Sequence, residues 1–375
     1  MELGTKALCV VVVLCAAAAS FAQDAAPEPE RHIDLAICLD TSGSMTGLIN
    51  SARQKLWDIV NELALAQPTP VFRVALLTYG SPDYPSEDGW VVEQVGLTDD
   101  LDTVYQKLFA LHTRGGTEYV GRVVHRAATS LQWSGGRDAL KIIFVAGNES
   151  ADQDKTVRYT HACKGAISKG IIVNSIYCGG ADDGIASGWR EVAALADGQF
   201  ACIDQNGGTV AIATPFDKQL AELSAELNKT YVAYGHFAHE GITNQVAQDA
   251  NASKMSGAAA ASRAVAKANA FYNNDRWDLV DASRRKDFDL TQIKADDLPE
   301  GMRQMSLEQR KAHLEQMAEQ RVQVQKQIND INAKRLAHID EQLKKMANKG
   351  DSTFDLAVRK ALRTQAARRN FTFAQ

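Results

Sequence analysis

Residues 33–44 read Ile33-Asp34-Leu35-Ala36-Ile37-Cys38-Leu39-Asp40-Thr41-Ser42-Gly43-Ser44, an apolar run that ends abruptly in a polar turn. The apolar part is typical of a strand buried on both faces of a sheet. The following residues, 48–66, space their apolar side chains as a helix does. A buried strand, a tight polar turn and a helix together predict the first unit of an open α/β sheet.

The alternation of strands and helices continues to about residue 230. Apolar runs predict strands at 33–39, 71–78, 90–97, 141–146, 171–177 and 199–203. Helical spacing predicts helices at 48–66, 101–111, 119–131, 155–169, 185–196 and 210–227. This order indicates a doubly wound, mostly parallel six-stranded sheet covered on both faces. Such a sheet binds ligands beyond the carboxyl ends of its strands, where the strand order reverses.

The polar turn brings one carboxylate and two hydroxyls together at a spacing of two residues. Asp40, Ser42 and Ser44 offer only oxygen ligands, which suit a hard cation such as Mg2+ or Ca2+. The alternative is that Asp and Ser only cap the next helix, because both residue types are favoured at that place.

The turn resembles the metal-ion-dependent adhesion site (MIDAS) of the von Willebrand factor type A family, whose signature is Asp-x-Ser-x-Ser. The family's next ligand is a Thr on a Gly-rich loop, and the stretch Arg114-Gly115-Gly116-Thr117-Glu118 matches it with Thr117. The resemblance covers residues 31–230 in the family's element order, and it implies a Rossmann-like binding domain.

The resemblance also implies how a cation would be held. Ser42, Ser44 and Thr117 would touch Mg2+, or Mn2+ or Ca2+ in its place, while Asp40 would act through water. An acidic residue of a partner protein would take the vacant coordination position. The family resemblance implies binding and not catalysis.

The sequence departs from the family at its last ligand, which is an Asp after the fourth strand of the family pattern. Here the strand ends Val145-Ala146-Gly147-Asn148-Glu149, so Gly147 stands at the position of the Asp. Asn148 or Glu149 is the candidate replacement, reaching the ion directly or through water. The alternative is a degenerate site on a retained scaffold.

The first residues have the pattern of a secretory signal. Lys6 precedes a 13-residue apolar run at 7–19, which is too short to span a bilayer, and Ser20-Phe21-Ala22 offers a small-x-small cleavage site. We expect residues 1–22 to be removed on export to the periplasm or the cell exterior. No other run is long enough for a transmembrane helix, so we expect no transmembrane segment in the mature chain.

Four cysteines remain beyond that leader: Cys38, Cys163, Cys178 and Cys202. They form no CxxC pair, so a zinc site of the usual spacing is not expected. Cys38 lies in an apolar run and is expected to be a buried thiol. An oxidising compartment would permit a Cys178–Cys202 bridge if their strands are neighbours.

The composition changes after residue 229. Residues 230–241 are expected to form an extended linker, and 244–273 an Ala-rich helix, weakened at Gly257, within a helical region at 244–297. Residues 302–346 predict a long amphipathic helix within a region that runs to 375 and ends in a basic tail. A heptad seam runs along this helix through Leu314, Met317, Arg321, Val324, Ile328 and Ile331, and Arg335 falls near it. Packing on the Ala-rich helix and an oligomeric coiled coil both remain open.

Charge and motifs narrow the class of function. The formal net charge is −5, which argues against nucleic-acid binding by the whole chain, although residues 300–375 hold 15 Lys and Arg against 9 Asp and Glu. Neither a GxSxG nor a P-loop motif is present. We therefore expect an exported, non-enzymatic, cation-dependent protein-binding module of the adhesion type. The alternative is an envelope scaffold that self-associates through its C-terminal helices.

Overall fold

The computed structural model describes residues 30–136, 138–203, 212–347 and 354–373. The predicted signal at 1–22 lies outside these residues. From Arg31 onward, the described residues form one compact unit. In that part of the chain, no helix has the length and apolar character needed to cross a membrane.

Six strands form one sheet, as predicted, in the order β4-β3-β1-β5-β6-β7. All neighbours are parallel except β3 and β4, which are antiparallel. A separate two-stranded sheet pairs β2 with β8. The strands are β1 His32–Asp40, β2 Ala66–Gln67, β3 Val71–Tyr79, β4 Val91–Thr98, β5 Leu140–Gly147, β6 Ile171–Cys178, β7 Phe200–Ile203 and β8 Thr372–Phe373.

Helices connect most of the strands, and among the described residues after β7 the chain is helical until β8. They are α1 Thr46–Ala64, α2 Leu101–Phe109, α3 Val120–Ser130, α4 Tyr159–Ser168, α5 Ala186–Ala194, α6 Asp217–Asn228, α7 Ala238–Met255, α8 Gly257–Ala268, α9 Leu279–Ala282, α10 Glu300–Arg303, α11 Leu307–Ala347 and α12 Phe354–Ala367. Two short 3-10 helices span Leu290–Gln292 and Ala295–Asp297.

The main sheet has a hydrophobic core on each face, as its continuous apolar strands require. Trp57 of α1 is fully buried on one face, together with side chains of α2 and α12. Trp189 of α5 is fully buried on the other face, together with side chains of α3 and α4. Because both faces of the sheet are covered, a ligand can reach the sheet only at its edges and at the ends of its strands.

The four cysteines that the structure describes, Cys38, Cys163, Cys178 and Cys202, are free thiols. Cys38 is fully buried, as expected. Cys178 and Cys202 do lie on neighbouring strands, but Cys178 packs into one core while Cys202 packs against the core on the opposite face. The bridge considered from the sequence is therefore not formed, because the two side chains point to opposite sides of the sheet.

The prediction of one Ala-rich helix is wrong, because the chain breaks at Ser256. This residue has an extended backbone (φ −170°, ψ 160°), and its hydroxyl accepts a hydrogen bond from the Ala259 backbone N–H at 3.0 Å, which caps α8. The extended linker is also shorter than expected, since α7 already begins at Ala238.

The long helix α11 packs on helices of its own chain. Ile328 and Ile331 share a core with Ala264 of α8 and Leu220 of α6. The seam is therefore covered within the monomer, which is the packing on the Ala-rich helix that the sequence left open.

The C-terminal helix α12 returns to the main sheet. Leu362 and Phe371 are 1% exposed and belong to the same core as Trp57. The side-chain amides of Asn174 on β6 and Gln365 on α12 exchange two buried hydrogen bonds, of 3.0 and 2.6 Å. The basic tail thus completes the sheet's cover on this face.

Candidate metal centre

Three neighbouring strands end side by side at the polar turn predicted from the sequence. Asp40 at the end of β1 is in register with Tyr79 at the end of β3. On the other side, Leu39 is in register with Ala146, so that Gly147 ends β5 beside Asp40. Because the chain runs from β1 to β3 on one side and later adds β5 on the other, the turn lies where the strand order reverses, the usual ligand position of such sheets.

Asp40 is fully buried, and only one of its carboxylate oxygens is hydrogen-bonded. Its Oδ1 accepts a hydrogen bond from the Ser42 backbone N–H at 2.7 Å. Its Oδ2 has no hydrogen-bond partner among the described residues. Buried carboxylate oxygens are normally paired, since leaving one unpaired costs free energy. This oxygen is thus available to a ligand.

The hydroxyls of the turn do not cap the following helix. The N-cap residue of α1 is Met45, and no side chain caps the helix. Instead, Ser42 Oγ and Ser44 Oγ lie 3.4 Å apart, and the Asn148 side-chain amide donates a 2.9 Å hydrogen bond to Ser44 Oγ. Asn148 Oδ1 is buried without a partner. The alternative that Asp and Ser in this turn only cap the next helix is therefore wrong.

The Gly-rich loop lies against the turn, as the motif order implies. The Arg114 backbone N–H donates to the Thr41 carbonyl oxygen at 2.9 Å. A Cβ at Gly43 would be 3.3 Å from Gly115 N, so the two backbones are almost in contact. Thr117 is half-buried on this loop.

Glu149 is exposed, as is Ser44 among the other predicted site residues. Its backbone carbonyl accepts a 2.8 Å hydrogen bond from Trp189 Nε1, which fixes the chain after β5. Its exposed carboxylate adds negative charge near Asp40 and Glu118. The structure therefore brings Ser44 and Asn148 into direct contact, whereas Glu149 acts on the site through its charge.

Sequence reasoning missed Glu118, the residue after Thr117. Glu118 is only 8% exposed, and its Oε2 accepts a 3.2 Å hydrogen bond from the Gln153 side-chain amide. The signal was in the quoted loop, where a carboxylate follows the expected ligand directly. The centre therefore contains a second buried carboxylate.

Burial dominates the electrostatics of the site. It raises the pKa of Asp40 to about 7, against the opposing effect of the Ser42 hydrogen bonds, and the charges of Glu118 and Glu149 raise it further. Burial likewise raises the pKa of Glu118, while hydrogen bonds from Gln153 and Ser42 lower it. Desolvated, mutually repelling carboxylates are the surroundings that a bound cation would stabilise.

Gly147 has no room for a side chain. A Cβ at this position would lie 2.6 Å from the Tyr79 hydroxyl and 3.1 Å from Asp40 Oδ2. The Tyr79 hydroxyl donates a 3.0 Å hydrogen bond to the Ala146 carbonyl oxygen, which holds the phenol in place. Any carboxylate that replaces the family's Asp must therefore come from elsewhere.

The sequence model of the von Willebrand factor type A domain matches residues 34–197. Those residues form a von Willebrand factor type A domain. The six-stranded sheet and both motifs of the site lie within or directly beside this domain. No curated protein matches the chain in sequence.

The solved structures to which this chain is similar come from different organisms. An aerotolerance-related membrane protein from Bacteroides fragilis is 18% identical (TM-score 0.33), with 46% of this chain and 92% of that chain covered. Proximal thread matrix protein 1 from the mussel byssus, solved with zinc occupying its MIDAS motif, is 14% identical (TM-score 0.35; 48% and 43% covered). The pilus adhesin SpaC from Lactobacillus rhamnosus GG is 14% identical (TM-score 0.37; 47% and 28% covered). The chain thus spans less than half the length of the last two.

The residues of this type A domain fit the divalent cation that a MIDAS implies. The free Oδ2 of Asp40 and the hydroxyls of Ser42 and Ser44 are oxygen donors, which hard cations prefer. Among the described residues, no three His, Cys, Asp or Glu side chains are grouped as a metal site. A centre here would therefore depend on hydroxyls as well as carboxylates.

Proposed function

We propose that this protein is a divalent-cation-dependent protein-binding module of the adhesion type. The observation that carries the proposal is the unpartnered Oδ2 of the buried Asp40, next to the Ser42 and Ser44 hydroxyls. Mg2+, or Mn2+ or Ca2+, would be held there by Ser42, Ser44 and Thr117. Asp40 would supply charge and order the water ligands.

The proposed ligand is a protein that contributes an acidic side chain to the cation. The centre lies beyond the strand ends and not in a closed cavity, since Ser44 is exposed and Thr117 and Asn148 are half-buried. A carboxylate on a protruding loop of a partner could approach such a place. The proposed role is binding and not catalysis, in an exported protein that acts in the periplasm or outside the cell.

Thermal unfolding of the purified protein tests cation binding directly. We expect the midpoint to rise from EDTA to millimolar Mg2+, Mn2+ or Ca2+, because a ligand that binds only the folded state stabilises it, by about 2.7 kcal/mol at a hundredfold excess over its Kd. Asp40→Asn keeps the acceptor for the Ser42 backbone N–H but removes the charge. This variant should lose the rise, and a wild type without any rise would refute the proposal.

Selection from a displayed peptide library tests the partner chemistry. Peptides recovered on the wild-type protein in Mg2+ should contain Asp or Glu, should dissociate in EDTA and should not bind Asp40→Asn. Recovery of peptides that bind equally well in EDTA would contradict the proposed ligand.

The scaffold alternative receives no support from the helices. Ile328 and Ile331, the seam residues that would pair two copies, are buried against α6 and α8 of the same chain. We therefore keep cation-dependent binding as the single proposed function.

A further inference from the structure

Two buried carboxylates converge on the end of β3. A Cβ at Gly80 would lie 2.8 Å from Asp40 Oδ1 and 3.1 Å from Glu118 Cγ. Gly80 has φ +88°, a conformation that favours glycine. The backbone conformation and the two neighbouring acidic side chains therefore both require a residue without a side chain here. The Ser42 side chain interacts with both Asp40 and Glu118. The Ser42 hydroxyl therefore lies close enough to influence a carboxylate of each motif.

No basic side chain of the described residues balances these two charges. The ion pairs at this end of the sheet join Arg114 to Asp83, Arg122 to Asp154 and Lys155 to Asp152. Glu118 receives only neutral hydrogen bonds, including the one from Gln153. Burying a carboxylate without an opposite charge is costly, so a cation would be the missing counter-charge.

The place of the family's second carboxylate is closed at the same time. Gly147 cannot carry a side chain without moving the Tyr79 hydroxyl, which a Cβ would approach to 2.6 Å. Asn148, the next residue, presents an amide and not a charge, and it contacts Ser44. This strand end therefore provides only the exposed carboxylate of Glu149, whereas the Gly-rich loop provides the buried Glu118.

We propose that Glu118 supplies the second buried negative charge of the cation site, in place of the carboxylate absent at position 147. This inference rests on the proposed function, because it requires a cation beside Asp40. Glu118 is a positioning residue: it acts through its charge, which adds to that of Asp40 beside the Ser42 hydroxyl. A site of this kind keeps the net charge of the family's site while moving one carboxylate to another loop.

The test is Mn2+ binding to the purified protein by titration calorimetry, with the unfolding midpoint in EDTA measured beside it. Glu118→Gln keeps the shape and the hydrogen-bonding capacity but removes the charge. We expect its Kd for Mn2+ to rise about tenfold or more, in the range seen when groups supporting a metal ligand are changed. Its midpoint in EDTA should equal or exceed that of the wild type, because the repulsion of Asp40 is gone.

Two further variants distinguish charge from structure. Glu118→Asp keeps the charge and should retain most of the affinity. Glu87 is an exposed carboxylate on the loop after β3, and Glu87→Gln is the matched control that should leave the Kd unchanged. A purely structural Glu118 would instead lower the midpoint in EDTA and leave the Kd unaltered.

The outcomes separate this inference from the proposed function. If Asp40→Asn abolishes Mn2+ binding while Glu118→Gln binds as the wild type does, only the role of Glu118 is overturned. If Glu87→Gln weakens binding as much as Glu118→Gln, the effect is general surface charge, and the inference is overturned as well. If the wild type does not bind Mn2+, both proposals fail.

Discussion

The Tyr79 hydroxyl fills the space into which any side chain at Gly147 would extend, 2.6 Å from the position of its Cβ. Tyr79 is fully buried and hydrogen-bonded to the Ala146 carbonyl oxygen, so it cannot easily move aside. The two residues lie on the strands that flank β1, and they approach each other above Asp40. The shape of the centre is therefore determined by the large side chain of Tyr79 together with the lack of a side chain at Gly147.

This contact predicts a coupled pair of substitutions. Gly147→Ala should lower the free energy of unfolding by about 1–3 kcal/mol, the usual cost of overpacking. Tyr79→Phe should cost about 1 kcal/mol through the lost hydrogen bond. The double variant should lose less than the sum, because Phe lacks the atom that the new methyl group would meet.

Urea unfolding of the four proteins of this cycle gives the coupling energy. Strict additivity would mean that the Tyr79 hydroxyl does not restrict position 147. Gly147→Asp belongs in the same series, and we expect it to be destabilised without tighter Mn2+ binding.

The buried Arg321 predicts a large loss of stability on substitution. Its guanidinium donates to Asp278 at 2.7 Å, to Asp281 at 2.8 Å and to the Thr230 carbonyl oxygen at 2.6 Å. Removing one member of a buried ionic cluster leaves the other charges unpaired, which costs about 3–5 kcal/mol. We expect Arg321→Leu to lower the unfolding free energy in urea by this amount.

The exposed Lys326 on the same helix is the control. Lys326→Leu should change the free energy of unfolding by less than about 0.5 kcal/mol. Equal effects of the two leucine variants would mean that the ionic cluster does not hold α11 in place.

The return of the chain to the main sheet predicts that its last residues stabilise the type A domain. Phe371 is 1% exposed and packs in the core that contains Trp57, whereas Phe373 is only half-buried. We expect Phe371→Ala to cost about 3–5 kcal/mol in thermal or urea unfolding. Phe373→Ala should cost clearly less, and the reverse order would contradict this packing.

Buried thiols predict a loss of stability at alkaline pH. Burial raises the pKa of Cys163 to about 12, above its ordinary value of 9.0. A group whose pKa is raised in the folded state contributes stability that is complete below the unfolded pKa and is lost as the pH rises above it. For Cys163 the loss begins near pH 9.0 and continues towards about 12, at up to about 1.4 kcal/mol per pH unit.

The contribution of this thiol is isolated by comparing unfolding free energies across the alkaline range. The free energy of unfolding should fall less steeply in Cys163→Ala than in the wild type between about pH 8 and about pH 10, the range around the ordinary thiol pKa. Parallel curves for the two proteins would show that this thiol is not protected from ionisation in the fold.

Local sequence patterns were sufficient to predict the sheet and to single out the turn and the loop that the structure places side by side. Strand ends and turn residues are adjacent in the chain, so Asp40, Ser42 and Ser44 could be recognised from one short stretch. The Gly-rich loop was equally local. The fold class, the order of strands and helices along the chain and the two motifs of the candidate site could therefore be predicted from the sequence.

Contacts between distant residues could not be predicted in the same way. From the sequence, Arg321 is a charged residue in an otherwise largely apolar heptad seam. Its ion-pair partners Asp278 and Asp281 could not be recognised, because they lie 43 and 40 residues earlier in the chain. The role of Tyr79 depends on Gly147, which belongs to another strand. Gly257 marked a weak point of the helical pattern, but no break was predicted at Ser256 because Ala-rich flanks favour helix on both sides.

The contact between Arg31 and the Asn370 carbonyl oxygen, at 2.7 Å, has a practical consequence. It joins residues near the two limits of the compact unit at the end where β1 begins, whereas the turn from Asp40 to Ser44 lies at the other end of that nine-residue strand. The separation along the strand is about 30 Å. An anchor or fluorescent label attached near either limit would therefore lie at the end of β1 opposite the turn. The turn would then stay accessible when the protein is immobilised on a sensor surface.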